Sequence, residues 1–100
     1  MFEVTVTRAD EDTARLETTI FFDNELSRKA EYLNDLENVI AGEVENYTGF
    51  ATEVDINPFY KEADIVVFLG WDPINLGDDI QELIVAAGYA RDHIEKEAKE

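Results

Sequence analysis

Apolar and polar residues alternate from the start of the chain. In "FEVTVTR", 2–8, Phe2, Val4 and Val6 fall on one side and Glu3, Thr5 and Thr7 on the other. That period predicts a half-buried strand. "ADEDT", 9–13, carries turn chemistry. A second strand is expected over 14–22, "ARLETTIFF", with Leu16, Thr18, Ile20 and Phe22 on one face. The short polar link between them predicts an antiparallel hairpin.

The period then lengthens. Leu26, Ala30, Leu33, Leu36, Ile40, Val44 and Tyr47 recur at steps of three and four, the buried stripe of one helix. Asp23 or Asn24 is positioned to cap its start, and Gly49 to close it. Glu31, Asn34, Asp35, Asn38 and Glu45 occupy its far side. "FATEVDINPFY", 50–60, predicts a third strand with Val54 and Ile56 inward and Glu53, Asp55 and Asn57 outward. Pro58 is expected to end it or mark a sheet edge. "ADIVVFLGW", 63–71, is apolar on both faces and predicts a more central strand. A last helix over about 78–98 has Ile80, Leu83, Ile84, Ala87, Ile94 and Ala98 as its stripe. The order β-β-α-β-β-α predicts an α+β domain spanning 1–100. The simplest version is a four-stranded, mostly antiparallel sheet with both helices on one face. Glu3, Glu17, Glu53 and Asp55 would then face solvent from the other.

Charge changes the picture more than composition does. The net charge is −16, from 24 acids and 8 bases. Each half of the chain carries twelve acids and four bases, so the charge is neither a tail nor an arm. Between Lys29 and Arg91 only Lys61 is basic, against thirteen acids. This argues against nucleic acid or anionic lipid as a direct partner. Basic proteins, cations or a very salty solvent suit it better. There is no cysteine, which excludes disulfides and thiol chemistry. The longest apolar run, "IVVFLGW", is far too short to span a membrane, and "MFEVTVTRAD" lacks the pattern of a signal peptide. The expectation is a soluble, cytoplasmic protein.

Candidate chemistry is sparse. His93, in "ARDHIEKE", falls on the polar side of the last helix and reads as a solvated surface histidine. No phosphate loop, dinucleotide fingerprint or zincin motif occurs. "DEDTARLETTIF" begins like a Ca²⁺ loop with Asp10 and Asp12, but Ala14 and Arg15 stand where a ligand and the essential glycine belong. No catalytic residue, metal or cofactor is expected.

The acids could instead imitate nucleic acid. Sixteen charges correspond to about 27 Å of duplex. Acids three or four residues apart on a helix lie about 5–6 Å apart, close to phosphate spacing. Glu31 with Asp35, and Asp78 or Asp79 with Glu82, have that separation. The candidate partner-binding residues are Glu31, Asp35, Glu45, Glu53, Asp55, Asp78, Asp79 and Glu82. Val85, Ala86 and Tyr89 lie off the main stripe of the last helix; they are either a second buried side of that helix or a candidate apolar patch for a homodimer or partner.

In type, the chain resembles the small, cysteine-free, highly acidic α+β proteins that viruses and mobile elements use against DNA-binding defence proteins. That resemblance implies a non-catalytic inhibitor that blocks a restriction or CRISPR-type nuclease complex. The competing expectation is a small structural or dimerisation domain whose acidic surface is an adaptation to molar salt, or incidental.

Overall fold

The structure is a computed structural model that describes residues 4–8, 14–70 and 76–98, with side chains over 15–69 and 77–97. Its elements are β1 (Val4–Arg8), β2 (Ala14–Phe21), α1 (Ala30–Thr48), β3 (Ala51–Asn57), β4 (Glu62–Gly70) and α2 (Leu76–Ala98). The domain is α+β, with two helices on an antiparallel sheet. β4 lies centrally, flanked by β2 and β3, and β1 pairs with the outer side of β2.

Alternation decides which sheet face is buried. Leu16, Thr18 and Ile20 of β2, Ala63, Ile65, Val67 and Leu69 of β4, and Ile56 of β3 are buried. They form one core with Leu36, Ile40 and Val44 of α1 and with Leu83, Ala86, Ala87, Ala90 and Ile94 of α2. Both helices therefore cover the same face. The "IVVF" run of β4 follows from its central place: Ile65 and Val67 are buried, while Val66 and Phe68 are partly covered on the other face.

Three expectations about α1 need correction. The helix starts at Ala30, not beside Asp23 or Asn24, and its N-cap Lys29 supplies no side-chain cap. Residues 22–29 are instead a tether that buries Phe22 and Leu26. Asn24 is drawn away from capping because its Nδ2 donates to Glu95 Oε2 at 2.7 Å, and the Asp23 amide donates to Glu95 Oε1 at 2.6 Å. Ala30 is exposed rather than part of the stripe. Tyr47 is 48% exposed and packs against Tyr89 of α2 rather than in the core. Pro58 stands one residue beyond β3, which is an edge strand. Phe2, Glu3, the turn at 9–13 with Asp10 and Asp12, Trp71 and the Ala98 side chain lie outside the described residues.

Two glycines of the α1 segment respond oppositely to alanine. Gly49 has φ +81 and donates its amide to the Glu45 carbonyl at 2.7 Å, a left-handed helix end. Gly49→Ala is expected to cost about 1 kcal/mol. Gly42 lies inside the helix with nothing within 4 Å of an added Cβ. Gly42→Ala is expected to stabilise by about 0.5–1 kcal/mol. Urea titration of the two variants checks both signs.

A candidate interaction surface

The face of the sheet opposite the helices is where acids are brought together. The register aligns Glu17 of β2 with Val66 of β4, and Val66 with Glu53 of β3. The next row is Thr19, Asp64 and Asp55, and the third is Phe21, Glu62 and Asn57. Residues directly opposite have Cβ atoms about 4.5–5.5 Å apart. Successive side chains on one face of a strand are about 6.6–6.8 Å apart. Five carboxylates thus share a small helix-free surface: Glu17, Glu53, Asp55, Glu62 and Asp64. Asp64 accepts a hydrogen bond from Thr19 Oγ1. Glu17 lies 3.7 Å from Arg15 at the margin.

Asp55 sits directly across from Asp64. Like charges in that position destabilise a sheet by about 0.2–1 kcal/mol. Asp55→Thr is therefore expected to stabilise the fold by that amount in dilute buffer. The gain should shrink in 1 M NaCl, where the Debye length falls to about 3 Å. Denaturant midpoints at the two salt concentrations check it.

Three of the bases gather elsewhere. Lys61 lies 3.3 Å from Glu25, and its Nζ donates to the Asp23 carbonyl at 3.0 Å. Arg91 Nε donates to the Phe21 carbonyl at 2.8 Å, and the guanidinium is 3.9 Å from Asp23. Arg28 is 3.9 Å from Glu25 and stands over the Phe59 ring at 4.4 Å. These three cations fasten the 22–29 tether to the β3–β4 turn and to α2. Their pairs are solvent-exposed, so each contributes little stability. Their consequence is geometric: three of the few bases are drawn to one corner.

The predicted partner-binding residues divide into two groups. Glu53 and Asp55 are exposed on the open sheet face. Glu31, Asp35 and Glu45 are exposed on α1, and Asp78 and Glu82 on α2, with Asp79 partly covered. The helices cover the other face of the sheet, so these acids do not extend the sheet rows into one track. Among the described residues, none of the eight makes a salt bridge. Sequence reasoning missed Glu62 and Asp64. Glu62 preceded the expected strand, and the apolar run after Asp64 hid the alternation that places it outward.

The apolar patch is also redrawn. Ala86 is 3% exposed and belongs to the core, because α2 is covered by both β2 and α1. Val85 and Tyr89 remain exposed, and Tyr89 packs on Tyr47 with ring centroids 6.0 Å apart. His93 is not simply solvated. Its Nδ1 lies 2.9 Å from Glu43 Oε1 on α1, and its Nε2 3.7 Å from Glu97 on α2. It links the two helices along the same seam as the tyrosine pair.

Among the described residues, no three His, Cys, Asp or Glu side chains are grouped to hold a metal ion, and no helix is long and apolar enough to cross a membrane. No family model, curated protein or solved structure matches this chain.

Proposed function

We propose that this protein is a non-catalytic polyanionic inhibitor. Its open sheet face occupies a cation-lined groove of a nucleic-acid-binding protein, of the restriction or CRISPR-type nuclease class. One observation carries the reading. Glu17, Glu53, Asp55, Glu62 and Asp64 form rows on a helix-free face, while Arg28, Lys61 and Arg91 are engaged at a corner. Carboxylates accept charge-assisted, often bidentate, hydrogen bonds from the guanidinium groups that otherwise hold phosphates. A partner gripping this face would exchange one polyanion for another, and its binding would weaken steeply with salt. The exposed acids of α1 and α2 add to the long-range field that steers such a partner. The direct repulsion between Asp55 and Asp64 fits a surface kept for binding rather than for stability.

Thermal unfolding in 0.1 M and 2 M NaCl tests this reading against salt adaptation. The proposal expects a cooperative transition in the dilute buffer. A fold that exists only in 2 M NaCl would assign the acidic coat to a saline environment instead.

A further inference from the structure

The edge strand β3 shows which of its backbone groups are already engaged. The Ile56 amide donates to Glu37 Oε2 on α1 at 2.7 Å, not to β4. Ile56 and Ala63 are therefore a non-hydrogen-bonded pair of the antiparallel ladder. The register runs without a shift from Ala51↔Phe68 to Asn57↔Glu62. By alternation, the amides and carbonyls of Thr52 and Val54 also point away from β4. Glu37 closes the edge at Ile56. No contact among the described residues closes it at Thr52 or Val54. Such unpaired groups are a template for another strand.

We propose that the β3 edge at Thr52–Val54 accepts an extended cationic segment of the partner as an added strand. The inference rests on the cationic partner proposed above and adds the mode of its attachment. Charge selects the occupant. Glu53 and Asp55 flank Val54 on the open face, and the added strand places its own side chains directly opposite them. Lys or Arg at alternate positions meets both carboxylates. On the other side, Val54 is half-buried, and Asn34, Glu37, Asn38 and Ala41 of α1 border the space beside it, which suits small side chains, polar or basic. A second copy of this chain fits worse. Antiparallel pairing of two β3 strands about Val54 sets Glu53 of each against Asp55 of the other, and like charges so placed are destabilising. The mode is strand addition, in which backbone bonds supply affinity and alternate side chains supply specificity.

Amide hydrogen exchange followed by NMR tests it. The probe is a synthetic eight-residue peptide of alternating Lys and Thr, with octalysine as control. The Thr52 and Val54 amides are expected to exchange at least tenfold more slowly with the alternating peptide. Ile56, bonded to Glu37, should change little. Val54→Pro removes an outward donor and leaves the β4 ladder intact, as proline is tolerated on the open side of an edge strand. It should weaken peptide binding at least tenfold and abolish the protection at Thr52. Thr52→Pro serves the same purpose if the first variant does not fold. Binding of either peptide without slowed amides, or equal binding to a folded proline variant, overturns strand addition and leaves the charge reading standing. Failure of both peptides to bind overturns the two together.

Discussion

Replacing Glu53 and Asp55 together by lysine is expected to reduce affinity for a cationic partner by at least 100-fold while making the fold slightly more stable. Hydrogen bonds to charged groups contribute about 1.5–3 kcal/mol each. Two lost contacts thus exceed about 3 kcal/mol, and reversal adds repulsion where attraction was. The net charge moves only from −16 to −12, because each reversal removes two negative units. A loss of this size therefore reports the position of the charges rather than their total. The stability gain arises at the same site. Lysine at 55 faces Asp64 directly, so a repulsive cross-strand pair becomes an attractive one. Isothermal titration and a denaturant series measure the two quantities. Affinity and stability falling together would mean that the double variant simply misfolds. Unchanged affinity would remove the open face from the proposal. The same reversal at Glu31 and Asp35, on the exposed side of α1, should have the smaller effect expected of steering charges.

The second large effect concerns the core that holds this face in place. Ile65 is fully buried on the central strand and lies in the cluster shared with both helices. Ile65→Ala is expected to cost about 2–5 kcal/mol, through lost transfer energy and a cavity that a central strand cannot collapse to fill. For a domain of this size each kcal/mol lowers the midpoint by about 4–8 °C. The melting temperature should therefore fall by about 8–40 °C. Val66→Thr, one residue away but on the open face, should change stability by no more than about 0.5 kcal/mol. Calorimetry on the pair checks the assignment of faces. Equal effects would show that the two sides of β4 are not distinguished as burial indicates.

Much of this architecture was legible from hydrophobic period alone. Leu16, Thr18 and Ile20 alternate along β2, and Leu36, Ile40 and Val44 recur every fourth residue in α1. All are buried. Signals were misread where two demands fell on one residue. Asn24 can cap a helix, but it serves a contact with Glu95 that sequence distance conceals. Ala86 lies off the main stripe, and period alone left a second buried side and an exposed patch equally open; it is buried because α2 is covered from two sides. His93 looked solvated because Glu43, its partner, lies fifty residues away. The candidate surface was half visible. Glu53 and Asp55 alternate openly along β3. Asp64 joins them only through cross-strand register, which a single strand's pattern does not contain.

The central claim is that the carboxylates of the open sheet face are gripped in place of phosphates. Its most direct measurement is displacement. A protein captured from bacterial lysate on the immobilised wild-type chain, and not on the Glu53→Lys/Asp55→Lys variant, is challenged with a short DNA duplex at constant ionic strength. The account predicts that the duplex releases it in a dose-dependent manner, because both polyanions compete for one cationic groove. Full retention under saturating duplex would contradict it.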